Sequence, residues 1–417
     1  MNRKLKIFFT TLMAVLCVGV LAIMIYGTPD KDVPATQQPV PIAEQPAQPK
    51  PEKQVIEVAA TSTPTPTPEP TPTPGPEELY TTLGEGISAE GEYFVKTAEE
   101  GEISLAFTGD ILLDPGYAIY TAYRNRGGAL DKCISQDLLD EMRAADVLMV
   151  NNEFPFSDRG TPAAGKTYTF RAAPESVNIL KEMGVDIAGV ANNHAFDYGM
   201  DAFLDTMDIL ENAGIPYVGG GHDISEAARP IYLHAADMKI AVVAATQIER
   251  MGNPHSIAAT EDTAGMLRCW PSVDQLVEVL KEAKENSDYV ILFIHWGTER
   301  EVDPDWCQNQ QLPELIASGV DLIIGSHPHI LQPISVANGV PVVYSTGNFW
   351  FNSKSLDSCL IEVKLSDGGL KSLRFVPCLQ AGSAVKLLHD GEAARLIEYM
   401  RSISPNVTID DEGYVSW

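Results

Sequence analysis

Short apolar runs alternate with amphipathic segments from about Glu102 onward, and this alternation most constrains the fold. Apolar runs of about four to eight residues between turn signals are typical of buried strands, and apolar residues at helical spacing are typical of helices that cover a sheet. Strands followed by helices predict a layered α/β fold. The predicted strands are Ile103–Thr108, Val147–Asn151, Ile187–Ala191, Ile240–Thr246, Val290–His295, Leu322–Gly325 and Val342–Ser345, the predicted helices are Ile134–Ala144, Pro174–Met183, Met200–Asn212, Val273–Glu285 and Gln308–Ala317, and Ser358–Val376 predicts a closing hairpin.

Polar side chains follow five of these strands at the point where each strand ends. They are Asp110, Glu153, Asn192, Asn193, His194, His295, His327 and His329. Because the carboxyl ends of parallel strands open into one crevice, we expect these side chains to lie close together. Imidazole and carboxylate groups are together the ligands of zinc, manganese or iron. The sequence therefore predicts a site for one or two divalent ions (Mn, Zn or Fe) at this rim.

Each of these residues alone also has an ordinary structural interpretation. The loop His327–His329 holds two imidazoles around a stiffening proline, but a single His295 is often a hydrogen-bonded strand-end histidine. Asp110 could bond a turn or cap a helix. Asp197, three residues after His194, could orient that imidazole or cap the following helix, and both interpretations stay open. A histidine beside a metal site could act as general acid to a leaving group.

The charge of the chain excludes one class of partner. The formal net charge is -28 at pH 7, from 29 Lys and Arg against 57 Asp and Glu. A surface this acidic repels phosphate backbones, so we expect no nucleic-acid partner. An anionic polymer would have to be met by local metal ions or arginines.

The N-terminal end predicts a membrane anchor. Arg3, Lys4 and Lys6 precede an uncharged apolar run from Ile7 to about Tyr26, which as a helix at about 1.5 Å per residue spans a bilayer. Basic residues before the span favour a cytoplasmic N-terminus and an extracellular C-terminal part. A cleaved signal peptide is the alternative.

Proline dominates the next segment. Fourteen of the 29 prolines lie between Pro29 and Pro76, a composition that buries too little apolar surface to fold. We therefore expect a signal anchor or transmembrane helix over residues 1–27, a disordered Pro/Thr-rich linker over 28–100 and a globular domain over 101–417. This organisation predicts a single-pass protein of the cell membrane, with its C-terminal domain outside the cell.

Six short motifs resemble, in order and spacing, those of the poly-gamma-glutamate capsule synthesis (CapA) family. They are Phe107-Thr108-Gly109-Asp110, Asn151-Asn152-Glu153, Ala191-Asn192-Asn193-His194-Ala195-Phe196-Asp197-Tyr198-Gly199, His295-Trp296-Gly297-Thr298-Glu299, Gly325-Ser326-His327-Pro328-His329 and Ser345-Thr346-Gly347-Asn348-Phe349. Together they cover about Ile103–Phe351. One such motif would be weak, whereas six in order are highly specific.

That family is similar to the calcineurin-like metallophosphoesterases, so the resemblance implies a four-layer α/β/β/α sandwich with a two-metal centre. It implies His194 as the acid, paired with Asp197, and Glu153 in place of the usual bridging aspartate. The other implied metal ligands are Asp110, Asn193, His295, His327 and His329, and the implied substrate-binding residues are Arg171, Glu299 and Asn348. Arg171, in Tyr168-Thr169-Phe170-Arg171, is an anion clamp in this interpretation, with a surface salt bridge as the alternative.

One departure from the metallophosphoesterase pattern bears on activity. The first block of that superfamily is Asp-x-His, and Leu112 stands here at the third place. The loss of that imidazole removes one ligand from one ion. We therefore expect either one tightly bound ion or a preference for a different metal.

Two functional hypotheses follow. The first is a surface-tethered, metal-dependent hydrolase of phosphoester type that acts in capsule or wall polymer metabolism. The alternative is a non-catalytic accessory subunit of a poly-gamma-glutamate synthesis and export complex, which binds or guides the polymer. Turnover abolished by a chelator would distinguish the first hypothesis from the second.

Overall fold

A computed structural model describes residues 91–251 and 255–417. The predicted transmembrane helix over 1–27 and most of the predicted linker over 28–100 lie outside these residues. Within them, no helix has both the length and the apolar character needed to cross a bilayer.

The described residues form a mixed α/β fold with two large sheets, which confirms the predicted α/β class. The strands of the first sheet are β1 (Glu92–Phe94), β7 (Ile231–Ala235), β8 (Met238–Thr246), β10 (Tyr289–His295), β11 (Leu322–Ser326), β12 (Ile334–Ala337) and β13 (Val340–Val343). Those of the second are β2 (Glu102–Ile111), β3 (Val147–Asn152), β4 (Ile187–Gly189), β5 (Tyr217–Val218), β14 (Asn348–Trp350), β15 (Leu356–Ser366), β16 (Gly369–Ala381), β17 (Ala384–Leu387), β18 (Thr408–Ile409) and β19 (Tyr414–Ser416), while β6 (Gly220–Gly221) and β9 (Gly265–Met266) pair separately.

The first sheet has the order β1-β7-β8-β10-β11-β13-β12, and the second has the order β18-β19-β16-β15-β2-β3-β4-β5, with β14 beside β2 and β17 beside β16.

The helices lie mostly in the connections between parallel strands. They are α1 (Ala118–Asn125), α2 (Gln136–Ala144), α3 (Val177–Met183), α4 (Met200–Ala213), α5 (Ile224–Ala227), α6 (Asp274–Glu285), α7 (Trp306–Ala317) and α8 (Asp390–Ile403), with short 3-10 helices at Leu130–Lys132 and Pro174–Ser176. The strands β2, β3, β4 and β5 are mutually parallel, as are β8, β10, β11 and β13. Connections of this kind carry the chain over one face of a parallel sheet, which explains why a helix follows most of these strands.

Period-two alternation along the strands divides the apolar side chains between layers. In β2, Leu105 and Phe107 face the first sheet and share a cluster with β8 and β10, whereas Ala106 between them belongs to the cluster formed with α1, α2 and α3. The outer face of the first sheet packs against Leu276 and Leu280 of α6 and against α7. Each sheet thus buries one face against the other sheet and one against helices.

One boundary differs from the sequence-based expectation. Strand β1 lies inside the segment predicted as linker, pairs with β7 in parallel and buries Tyr93, which corrects the predicted boundary at residue 100. The strands that carry the candidate ligands divide between two sheets; the family resemblance implies two sheet layers, whereas the strand ends alone indicate only a shared crevice. Their carboxyl ends still meet at one edge because the two sheets pack face to face.

Asp186, at the start of β4, allows a test of the core. Its carboxylate accepts the Leu148 amide at 2.8 Å, and burial, opposed by that bond, raises the pKa of Asp186 to about 7. Such a group stabilises the fold while protonated, and this stabilisation is lost as pH rises from about 4 through 7. We expect Asp186→Asn to raise the free energy of unfolding by about 1–2 kcal/mol at pH 8.5 and by less at pH 5.5, measured by urea titration. Asp208→Asn, at an exposed site on α4, is the control, and a pH-independent difference would contradict the expectation.

Candidate metal centre

The polar residues that end the parallel strands of both sheets meet at one rim. Asp110 lies near the end of β2, Glu153 directly follows β3, and His295 ends β10. His327 and His329 follow β11. Asp110, Glu153, His295 and His327 are buried, and His329 is partly buried. The structure therefore brings together side chains that are up to 219 residues apart in the chain.

One group of candidate ligands consists of Glu153, His295 and His327. One ligand atom from each lies within 4.8 Å of those of the other two. Asn193 joins this group because its side-chain oxygen lies 2.8 Å from His295 Nε2, and His327 Nδ1 lies 3.0 Å from the same nitrogen. Ser326 Oγ lies 3.0 Å from the other ring nitrogen, Nδ1, and holds the His295 ring from behind.

The second group consists of Asp110, Glu153 and His329, again within 4.8 Å. His329 Nδ1 lies 3.1 Å from Asp110 Oδ2 and 2.8 Å from Asn348 Oδ1. Asp110 is placed by a close approach of β14 to β2, since a Cβ on the preceding Gly109 would lie 1.8 Å from a backbone oxygen. Only glycine fits there, so the motif residue before Asp110 is explained by packing.

Glu153 belongs to both groups, and its surroundings fit a cation. The carboxylate is fully buried, and its Oε1 has no hydrogen-bond partner among the described residues. Burial and the adjacent Asp110 carboxylate raise the pKa of Glu153 well above its usual range. A buried anion beside a second anion is unfavourable without a positive charge between them. The residues present therefore fit one or two divalent ions.

The protonation of the histidines is compatible with this fit. Burial, together with the charge of the neighbouring imidazoles, lowers the pKa of His295 and of His327 well below the usual value. Both rings are therefore neutral near pH 7, as a metal ligand must be. Burial is the largest effect on the pKa of His329 and acts to lower it, but the hydrogen bond and charge of Asp110, together with Glu299 and Asn348, outweigh burial and raise the pKa.

His194 lies next to the two groups without belonging to either. Its Nε2 lies 3.8 Å from Glu153 Oε1, and its Nδ1 lies 2.6 Å from Asp197 Oδ2. Burial lowers the pKa of His194, against the opposing effect of Asp197. Phe170 stacks on the imidazole with the ring centroids 4.1 Å apart. The ring is thus held on one edge and one face, with Nε2 directed at the site.

The domain that carries these residues is similar to a known protein family. The profile described as "Bacterial capsule synthesis protein PGA_cap" matches residues 104–353, which is more than half of the chain. The chain belongs to the PGA_cap family. All the candidate ligands lie inside the matched range.

Individual relatives of the PGA_cap domain agree with this assignment. The chain is 32% identical over 288 residues to the PGA biosynthesis protein CapA of Bacillus subtilis (strain 168), covering 68% of this chain and 73% of that protein. It is 29% identical to the capsule biosynthesis protein CapA of Bacillus anthracis, and the match covers 69% of this chain and 70% of that protein. A probable polyglutamine synthesis accessory protein of Mycobacterium tuberculosis is 29% identical over 213 residues, and the match covers 50% of this chain and 56% of that protein.

The three predicted substrate-binding residues of this PGA_cap domain lie in different settings. Arg171 packs over the Tyr198 ring at 4.1 Å and donates to the Arg159 carbonyl at 2.8 Å; it forms no salt bridge within the described part of the chain. Asn348 contacts His329. Glu299 is exposed on the loop after β10, close enough for its charge to raise the pKa of Glu153.

Leu112, the departure from the superfamily pattern, is part of the apolar core. Its side chain is 1% exposed and belongs to the cluster that packs under α1 and α2, and its amide donates to the Trp350 carbonyl. The second ligand group therefore contains Asp110, Glu153 and His329 with no fourth histidine or acid within the described residues.

Sequence reasoning missed two residues that hold the ligands in place. The Asn151 amide donates to Asp110 Oδ1 at 2.7 Å and lies 3.3 Å from His295 Nδ1. Asn151 therefore contacts one residue of each candidate ligand group. The sequence feature that could have identified Asn151 is its position in the motif that contains Glu153. Lys166 contacts Asp197 at 2.6 Å, and nothing in the surrounding sequence distinguishes it from a surface lysine.

Proposed function

We propose that this PGA_cap protein is a metal-dependent hydrolase of phosphoester type, with a calcineurin-like metallophosphoesterase arrangement of two sheets between two helical layers. The observation that carries the proposal is Glu153: a fully buried carboxylate shared by two ligand groups, with an oxygen that lacks a hydrogen-bond partner among the described residues. A carboxylate in this setting is suited to bridge two cations.

Divalent ions held by the two groups would supply Lewis-acid activation of water and of a phosphoryl oxygen. One ion would be held by Glu153, His295, His327 and Asn193. The other would be held by Asp110, Glu153 and His329. Neutral His295 and His327 leave the net charge of the site to the carboxylates, which favours cation binding.

His194 supplies the proton in this proposal. Its Nδ1–H donates to Asp197, so the acid form is the imidazolium, which carries a second, transferable proton on Nε2, the nitrogen that faces Glu153. The departing oxygen of a phosphoester takes this proton as the bond to phosphorus breaks. Phe170 and Phe351 form an apolar wall beside His194 and His329, which excludes water from this side.

The biological setting is inferred from the relatives. Proteins named for capsule and PGA biosynthesis cover about two thirds of this chain, which favours an anionic polymer or a phosphoester precursor as substrate. Arg171 is the proposed anion clamp, since its guanidinium has no carboxylate partner among the described residues. The apolar run Ile7–Tyr26 supports membrane anchoring with the domain outside the cell, which cell fractionation and protease accessibility would test.

A second candidate function is a non-catalytic accessory subunit of a poly-gamma-glutamate synthesis or export complex. The observation that favours it is the missing fourth ligand at Leu112, because an ion held by three ligands exchanges more readily. The name of the Mycobacterium tuberculosis relative, a polyglutamine synthesis accessory protein, points in the same direction.

Metal content and turnover distinguish the two functions. We expect the chain to hold about one to two manganese or zinc ions, measured by mass spectrometry after loading, because two ligand groups share Glu153. We also expect hydrolysis of phosphodiester and phosphomonoester probes that a chelator abolishes and added Mn restores. Metal binding without any turnover would favour the accessory role, and a chain that takes up no metal would overturn the hydrolase.

A further inference from the structure

Lys166 forms a buried ion pair beside the site. Its Nζ lies 2.6 Å from Asp197 Oδ1, with 11% of the lysine side chain and none of the aspartate side chain exposed. The other salt-bridged lysines of the described residues expose between 28% and 59% of their side chains. Ion pairs on the surface contribute little to the free energy of folding. A buried pair is retained only where the two charges are well oriented and their remaining hydrogen-bonding groups have partners. Lys166 is therefore not an ordinary surface lysine.

The pair fixes the orientation of the Asp197 carboxylate. Oδ2 accepts the Phe170 amide at 2.7 Å and lies 2.6 Å from His194 Nδ1, so Lys166 is the partner of the remaining oxygen. Without the ammonium group, Oδ1 would be buried and unpaired, which costs free energy. The carboxylate would then rotate or admit water, and Nδ1 of His194 would lose its fixed acceptor.

The same ammonium group holds the first candidate ligand group. Lys166 Nζ also donates to the backbone carbonyl of Asn193, whose side-chain oxygen lies 2.8 Å from His295 Nε2. One side chain thus holds the peptide next to His194 and the carboxylate behind His194.

A third contact crosses to the other sheet. Glu249 Oε1, in the loop after β8, lies 3.6 Å from Lys166 Nζ, and Glu249 Oε2 accepts the amides of His255 and Ser256. Asn193 and Asp197 follow β4 of the second sheet, so Lys166 links the loops of both sheets at the site.

We propose that Lys166 is a positioning residue, which orients the Asp197–His194 pair for proton transfer and holds Asn193 toward the ligand group. This inference rests on the proposed function of His194 and adds a residue to it. Lys166 touches neither the candidate ligand atoms nor, in this proposal, the substrate. Its effect is transmitted through Asp197 and through the Asn193 peptide.

The test compares Lys166→Met with Lys166→Arg in the full-length chain, with Lys181→Met, at an exposed lysine of α3, as the control. With an Mn-loaded chain and a phosphodiester probe, we expect Lys166→Met to lower kcat by about 10- to 100-fold while KM changes by less than about threefold. We expect the Kd for Mn, by calorimetry, to rise about tenfold. Lys166→Arg should recover most of both losses because it restores a cation within reach of Asp197.

A readout in the metal-free chain separates this inference from the proposed function. The Nδ1–H proton of His194, assigned by its loss in His194→Asn, should be observed by NMR in the wild type and in Lys166→Arg and be lost by exchange in Lys166→Met. If the wild type takes up no metal, the proposed function fails, and the NMR comparison still decides the role of Lys166. If Lys166→Met does not fold, Lys166→Gln carries the same comparison. A Lys166→Met variant equal to the control in kcat and in the NMR signal overturns the inference.

Discussion

Glu153→Gln is expected to abolish manganese binding at both ligand groups and to lower turnover of a phosphodiester probe by at least about 10³-fold, equal to about 4 kcal/mol of transition-state stabilisation. The amide keeps the shape of the side chain but removes the charge that both groups share. Metal content by mass spectrometry and steady-state kinetics on the same sample measure the two effects together.

The same variant should be more stable than the wild type when metal is absent. Burial and Asp110 raise the pKa of Glu153, so its ionised form opposes folding, and the wild type loses stability as pH rises from the ordinary carboxyl pKa of about 4 up to the raised pKa. A neutral Gln removes the penalty, and we expect a gain of about 1–3 kcal/mol at pH 8 by urea unfolding.

Added metal should reverse that order. Mn at about 100 times its Kd stabilises the wild type by about 2.7 kcal/mol and should leave Glu153→Gln unchanged. Glu314→Gln, at an exposed position of α7, is the control for removal of a carboxylate. A variant that keeps its metal, or a wild type that Mn does not stabilise, would show that Glu153 is not a shared ligand.

The convergence of the candidate ligands at one rim was predictable because each of them is a local feature of the sequence. Asp110, Glu153 and His295 each stand at the end of a continuous apolar run, and the position of a strand end needs no knowledge of tertiary structure. The local pattern does not assign those strands to particular sheets, although the family resemblance implies two sheet layers. Pairing of β2 with β15 joins residues more than 250 positions apart, and the local pattern carries no record of that partner.

Several other elements outside the motifs were also missed. Strands β1 and β7 are short, and β7 has a half-exposed face that includes His234, so neither resembles a buried run. Helix α8 packs Leu396 and Met400 against the core between the sheets, yet it lies beyond the last motif. Lys166 was missed for the opposite reason: its significance comes only from contacts with residues 27 to 83 positions away.

The proposed role of His194 as a general acid predicts an effect that depends on the leaving group. His194→Asn should lower kcat by about 10²- to 10⁴-fold for a phosphoester with an alkyl leaving group, since that alkoxide must be protonated as it departs. A p-nitrophenyl ester, whose leaving group is a much weaker base, should lose about tenfold or less. Metal content should stay at the wild-type level because His194 belongs to neither ligand group.

His222→Asn, at a half-exposed histidine on the loop before α5, is the control. Equal losses for both esters would mean that His194 positions the substrate without donating a proton, and loss of metal would mean that it is a ligand.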